Sequence, residues 1–193
     1  GPNGAGKTTL IKVLTGRMPP DSGTVRLMKN LEEAYFDQNR MTLNPNKTLR
    51  ETLCPDGGDT VFVRGTPRHI MSYLKDFLFA PTQADTPVSA LSGGEKNRLV
   101  LAQTLAKPSN FLVLDEPTND LDMDTLDLLQ DALMSYDGTV LIVSHDRDFL
   151  DNVATSLLYM KGDGTIVEHV GTYTDLLAKL KAQEKNAAKP VDK

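Results

Sequence analysis

Two short runs constrain the fold of this chain more than any other feature: Phe111-Leu112-Val113-Leu114 and Thr139-Val140-Leu141-Ile142-Val143. Both are nearly uniformly apolar rather than alternating, the pattern of a strand covered on both faces. Such strands belong to parallel sheets whose crossovers are helices. Helix-like patterns lie around them, so an α/β fold with a mostly parallel core sheet flanked by helices is expected. Each run ends on polar residues, Asp115-Glu116 after the first and Ser144-His145 after the second. Ligands of open parallel sheets bind beyond these carboxyl ends, so the chemistry is sought there first.

The chain opens on Gly1-Pro2-Asn3-Gly4-Ala5-Gly6-Lys7-Thr8-Thr9. Two glycines flank four residues and are followed by Lys and Thr, the spacing of a phosphate-cradling loop. Glycine lets the backbone turn so that successive N–H groups face phosphate oxygens, and the helix that follows adds its positive end. Lys7 supplies a mobile cation, and the Thr8 hydroxyl suits Mg²⁺. A glycine-rich surface turn ahead of a helix shares part of this pattern. What raises the loop above that alternative is its expected place on the same sheet edge as Asp115, Glu116 and His145. A loop of this kind ordinarily follows a buried parallel strand. The numbered chain begins on the loop, so the expectation is either a fragment or an omitted N-terminal piece.

The remaining pattern reads in order. A helix is expected over 7–15, stopped by Gly16, then a short strand near Thr24–Leu27 and another over Ala34–Asp37 leading into Gln38. The middle holds a short helix about Thr48–Leu53, a strand at Val61–Val63, and a helix begun by Thr66-Pro67 and running to about Leu78. Ser92 caps a helix to Ala106, and another helix covers about Asp124–Tyr136. Beyond the second apolar run come a helix over Arg147–Val153 and a hairpin of Ser156–Met160 with Ile166–His169. Thr172 then caps a final helix, with Asp175 three residues on.

No apolar run approaches the roughly 18 residues of a membrane span, and no secretory signal opens the chain. The single cysteine, Cys54, excludes an intrachain disulfide and suits a reducing cytoplasm, packed as a small apolar residue. The net charge of −5 makes no overall case for nucleic-acid binding. The five lysines from Lys179 onward give that end +3 and leave −8 on the body. This end is either a helix leaving the domain or a solvated tail, with Pro190 ending any helix.

At the strand ends, Asp115 is placed as the second holder of Mg²⁺, directly or through water. Glu116 beside it is a natural general base for an attacking water. A strand-ending acidic turn is the plainer alternative. His145 suits sensing of a γ-phosphate, and Gln38 can reach metal or water, whereas His69 and His169 lack such a setting. Ser92-Gly93-Gly94 makes a second anion site, with a cap hydroxyl, bare N–H groups and a helix start. Either the chain binds two ligands, or this second site serves a partner's nucleotide.

Five motifs in register resemble the ATP-binding cassette (ABC) family over nearly the whole chain, from Gly1 to about Leu180. Gly1–Thr9 resembles Walker A, and Leu91-Ser92-Gly93-Gly94-Glu95 the signature motif. Phe111–Glu116 is similar to Walker B with its catalytic Glu, and Thr118–Asp122 to the D-loop. Gln38 and His145 stand where that family has its Q-loop and switch residues. The forms Glu116–Asp122 and Leu91–Leu99 resemble the ABC-F branch of twin-cassette ATPases. The segment running from Glu51–Pro55 through Tyr73–Phe79 is similar to the second cassette of its Uup group.

The resemblance implies a P-loop ATPase cassette over 1–180, with a small helical and signature subdomain inserted at about 40–108, and a charged tail over 181–193. It implies ATP and Mg²⁺ as cofactors. Glu116, His145 and Gln38 would be catalytic, and Thr8, Gln38 and Asp115 would serve the metal. Nucleotide contacts would come from Gly1, Asn3, Gly4, Ala5, Gly6, Lys7, Thr8 and Thr9, and from Ser92, Gly93, Gly94 and Asp122. The implied partners are a second cassette, closing head-to-tail, and the ribosome or nucleic acid, in the cytoplasm. Alternative expectations are a peripheral ATPase subunit of a membrane transporter, or a non-catalytic nucleotide-binding fragment. The family's adenine-stacking aromatic lies upstream of Walker A, outside this numbering.

Overall fold

The structure is a computed structural model that describes residues 1–2, 4–37, 43–119 and 121–187. Asn3, Gln38, Asp120 and the tail about Pro190, each part of an expectation above, lie outside the described residues. The chain divides into two compact units, Leu27–Ser144 and Gly1–Arg26 with His145–Lys193.

The first of these units is built on three parallel strands in the order β1 (Glu33–Asp37), β4 (Phe111–Asp115), β5 (Thr139–Val143). The central strand β4 places Val113 between Tyr35 and Leu141. Leu112, Val113 and Leu114 are all fully buried, as expected for a run apolar on both faces. Helix α4 (Gly93–Ala106) buries Leu99, Leu101, Ala102 and Thr104. The buried Tyr73 hydroxyl donates to the Ala102 carbonyl at 2.7 Å.

A smaller layer precedes α4. Helix α2 (Leu49–Leu53) starts in a capping box in which Thr48 and Glu51 satisfy each other's backbone N–H. Strands β2 (Thr60–Val63) and β3 (Thr66–His69) form an antiparallel hairpin, followed directly by α3 (Ile70–Asp76). The expected helix start at Thr66-Pro67 is therefore wrong. Arg64 (φ 50°) and Gly65 (φ 84°) make a two-residue turn with both central residues left-handed, the hairpin geometry. Pro67, paired with Phe62, sits in a two-stranded ribbon where its missing N–H is tolerated. The helix starts four residues after Thr66, with the His69 ring nitrogen accepting from the Met71 N–H. Cys54 is buried as expected, and burial pushes its thiol pKa up.

Helix α3 ends with Leu78 N–H on the Lys75 carbonyl and Phe79 N–H on the Leu74 carbonyl. This is the Schellman arrangement, whose left-handed residue is usually Gly. Here it is Leu78, at φ 60° and half exposed, a conformation costing a side-chain-bearing residue roughly 1–2 kcal/mol. Helix α5 (Met123–Met134) buries Thr125, Leu129 and Leu133.

The second unit holds α1 (Lys7–Leu14), α6 (Arg147–Val153), the hairpin β6 (Ser156–Met160) with β7 (Ile166–Val170), and α7 (Tyr173–Ala187). Ile11, Phe149 and Leu176 are its buried apolar centre. Thr172 accepts from the Asp175 N–H at 3.1 Å, the cap expected from the sequence. Asp151 on α6 also accepts from the Tyr173 N–H and the Thr174 hydroxyl, tying α6 to the start of α7. The strand expected near Thr24–Leu27 is absent, since those residues are exposed irregular chain without a described strand partner. No helix among the described residues is long and apolar enough to cross a membrane.

Candidate functional site

In the unit that contains the opening loop, Gly4 (φ 77°) and Gly6 (φ 91°) both take the left-handed conformation that only glycine adopts without strain. Gly6 is the N-cap of α1, and no side chain among the described residues caps it. The first turn of a helix presents N–H groups without intrahelical partners, and here they start from a bare residue. Lys7 curls back so that its Nζ donates to the Gly1 and Pro2 carbonyls, each at 3.1 Å. Its ammonium thus lies against the loop backbone, where a phosphate oxygen can exchange with those carbonyls. Gly1 is required by packing, since a Cβ there would overlap the Met160 carbonyl at the end of β6. Thr8 and Thr9 are exposed in the first turn. His145 belongs to the same unit and is exposed, ahead of Asp146, which caps α6 through the Phe149 N–H at 3.0 Å.

The other unit holds the acidic strand end. Asp115 closes β4 half-buried, opposite Val143 of β5, with the Tyr35 hydroxyl 3.3 Å from its Oδ2. Glu116 follows at φ 51°, and its N–H donates to the Val143 carbonyl at 2.8 Å. A left-handed glutamate directly after a buried strand is the kind of strain that collects at functional sites. It turns the chain sharply into buried Pro117 and the turn closed by the Asn119 N–H on the Glu116 carbonyl. The Thr118 and Ser144 hydroxyls bond at 3.1 Å and join that turn to the end of β5.

The same unit carries the second helix start. Ser92 and Glu95 form a full capping box, the Ser92 Oγ accepting from Glu95 N–H at 3.2 Å and Glu95 Oε2 accepting from Ser92 N–H at 2.8 Å. Gln83 donates to the other Glu95 oxygen at 2.7 Å. The Ser92 backbone bond and this amide hold the Glu95 carboxyl below its usual range. Capping uses the Ser92 oxygen as acceptor, and its hydroxyl also bonds the Glu95 carboxyl. The two glycines that follow differ. A Cβ on Gly94 would come within 3.1 Å of Asp122 Oδ2, whereas one on Gly93 would meet nothing within 4 Å. Packing explains the bare Gly94, whereas the bare Gly93 faces open space among the described residues.

Asp122 caps α5, accepting from the Thr125 N–H at 2.8 Å, and lies 3.3 Å from the Arg98 Nη1 on α4. Hydrogen bonds from Thr125, with Arg98 adding less, lower its pKa. Arg98 carries no distinctive signal in the sequence beyond its place two turns after Ser92. It nevertheless links the second helix start to the segment that follows Glu116, and it lies 5.5 Å over the Phe79 ring.

Taken unit by unit, the donors suit the parts of a nucleotide with Mg²⁺: in one, a glycine loop with bare N–H groups, a lysine for phosphates and the Thr8 hydroxyl for a hard cation; in the other, the Asp115 carboxylate, also a hard-cation ligand. Among the described residues no three His, Cys, Asp or Glu side chains cluster as a metal site of their own.

Comparison with known proteins decides the family. The family described as "ABC transporter" matches residues 1–119. The chain belongs to that family. It is 56% identical to the ATP-binding protein Uup of Caulobacter vibrioides over 92% of the chain, and 55% identical to Uup of Escherichia coli over 91%. It is also 44% identical to the energy-dependent translational throttle protein EttA of Mycobacterium tuberculosis over 84% of its length. These are the ABC-F relatives that the motif forms resemble. The chain spans only 29%, 27% and 29% of those three proteins.

Among solved structures, the archaeal ribosome recycling factor aABCE1, in complex with a ribosomal stalk protein, matches with a TM-score of 0.66 at 26% identity. That match covers 94% of this chain and 35% of the other. An ATP-binding cassette of an ABC transporter in its ADP conformation matches with a TM-score of 0.63 at 22% identity, over 97% of this chain and 85% of that one, a likeness of fold. The mixed α/β expectation with a parallel core sheet holds.

Proposed function

We propose that this chain is the ATP-hydrolysing cassette of an ABC-F protein in which two cassettes close head-to-tail around two ATP molecules. The observation that carries this reading is the start of α1: a helix begun by a bare left-handed glycine, with Lys7 folded over the carbonyls of its own loop. Gly1, Asn3, Gly4, Ala5, Gly6, Lys7, Thr8 and Thr9 hold the phosphates. Thr8, Asp115 and Gln38 hold Mg²⁺, which when bound neutralises charge on the transferred phosphoryl group. Glu116 would accept a proton from the attacking water, and His145 would contact the γ-phosphate.

Ser92, Gly93, Gly94 and Asp122 serve the nucleotide of the opposing cassette. Open space at Gly93 supports that role. Likeness to EttA and aABCE1 supports coupling to the ribosome; work on nucleic acid is the other form of this reading, and either would be done in the cytoplasm. The domain plan that goes with this reading is a cassette over 1–180 with the inserted layer at about 40–108. In the full-length protein, Glu116→Gln should slow ATP turnover by about 10²–10⁴-fold while ATP still binds. Unchanged turnover would remove Glu116 from its role. Recovery of the slowed variant with membranes rather than ribosomal particles would favour a transporter subunit.

A further inference from the structure

The start of α4, which the proposed function gives to an opposing nucleotide, has a carboxylate beside it. Asp122 Oδ2 stands 3.1 Å from where a Cβ on Gly94 would be, against the first turn of α4. Its other oxygen is spent on the Thr125 N–H at 2.8 Å. Glu95 on the same turn is a second carboxylate, held by Ser92 and Gln83. A phosphate arriving at Gly93 and Gly94 would add negative charge where two carboxylates already stand, and like charges brought together cost binding. The helix start cannot offset that alone, since its dipole amounts to about half a charge.

Arg98 is the cation placed to meet this problem. It lies one turn beyond Gly94 on α4, with its Nη1 3.3 Å from Asp122 Oδ2 and 3.5 Å from the Thr125 hydroxyl. The Glu95 carboxyl feels the same charge. Lys96, the other cation of this turn, forms no ion pair among the described residues. The Arg98 side chain is 15% exposed and that of Asp122 51%, so the cation stands behind the carboxylate and leaves its solvent side open.

As a staple for stability the pair is poorly made. One nitrogen makes both contacts, each at the long end of hydrogen-bond range, and the buried Nε has no hydrogen-bond partner among the described residues. Arginine joined to a carboxylate for strength often uses two parallel bonds, and a largely buried ion pair adds little to stability once desolvation is counted. The Phe79 ring, 5.5 Å from the guanidinium, steadies the group in place. What the arrangement does deliver is a fixed positive charge beside Gly94 and behind Asp122.

We propose that Arg98 is a positioning residue for ATP turnover, neutralising the Asp122 carboxylate so that the phosphate of an opposing nucleotide can seat at Gly93 and Gly94. This rests on the head-to-tail reading above and deepens it. Arg98 acts through Asp122 and touches no substrate itself.

Steady-state ATP turnover of the full-length protein separates this role from packing. Arg98→Gln should lower kcat at least about tenfold through the uncompensated charge, with KM within about twofold because the Gly1–Thr9 loop is untouched. Arg98→Lys keeps a charge for a contact that one nitrogen makes, and kcat should stay within about threefold of wild type. Asp122→Asn retains a helix cap, since Asn and Asp cap about equally well, and removes the charge that Arg98 offsets. In that background Arg98→Gln should slow turnover by no more than about twofold, a strong coupling between the two sites. The comparison holds even where Arg98→Gln lowers the melting temperature, because a damaged fold would persist in the Asp122→Asn background. The proposal is overturned if Arg98→Gln slows Asp122→Asn as much as it slows wild type, or if Arg98→Lys is as slow as Arg98→Gln. Gly93→Ala tells that failure from failure of the reading beneath it. If Gly93→Ala is slowed while the Arg98 and Asp122 effects merely add, the role of Arg98 falls alone; if Gly93→Ala turns over ATP as fast as wild type, both fall.

Discussion

Two glycine-rich helix starts in this chain solve opposite problems. The first, at Gly6, has no side-chain cap among the described residues, takes a left-handed residue at its N-cap, and carries a lysine folded over it. The second, at Ser92, is closed by a capping box and buttressed by Gln83. A helix without a cap forgoes about 1 kcal/mol and leaves its N–H groups to be satisfied from outside. A capped one is rigid before any ligand arrives, and offers only the donors that the box does not use. On the proposed reading, the first would wrap one triphosphate and the second, a preformed rim, would touch only the end of another.

The largest effect expected from this contrast is at the first start. Lys7→Ala should cost the ATP affinity of the full-length protein about 10–100-fold, the size of a charge-assisted hydrogen bond in a dry site. Isothermal titration would show it, and a loss under twofold would make the lysine's contact with its own carbonyls merely structural. Ser92→Ala should behave in the reverse way. It removes a cap, so the melting temperature should drop by a few degrees, about 1 kcal/mol, while ATP affinity at the Gly1–Thr9 loop holds.

A smaller effect concerns pH. The folded Glu95 pKa is depressed, because Ser92 and Gln83 bond its ionised form. Its contribution to stability is therefore fully present above the ordinary glutamate pKa of about 4.3. It is lost as pH falls through the lower folded value. The difference in melting temperature between wild type and Glu95→Gln should shrink below about pH 4, and a difference that grew on acidification would contradict the box.

Much of this was legible in the residues. The apolar runs at 111–114 and 139–143 announced the parallel sheet because burial on both faces leaves no alternation to mistake. Ser92 with Glu95 was legible as a helix start because the box is encoded at fixed spacing. Thr66-Pro67 misled because cap-then-proline suits a helix start and a ribbon edge equally well. The deciding signal was Arg64-Gly65 just before it, a turn in which arginine replaces the usual Asn. Arg98 and Leu78 were not legible, since what matters about them is a distance to Asp122 and a backbone angle.

The central claim is that the loop at Gly1–Thr9 binds the nucleotide and the rim at Ser92–Gly94 completes a different one. The most direct measurement is steady-state turnover beside equilibrium ATP binding for Gly93→Ala in the full-length protein. A Cβ there meets nothing within 4 Å among the described residues, so the fold and ATP affinity should stay within about twofold. Turnover should fall at least about tenfold, because the added methyl would hold the opposing phosphate off the helix start and weaken its hydrogen bonds there by about one bond to a charged group. Unchanged turnover, or an affinity loss that matches the turnover loss, would contradict the account.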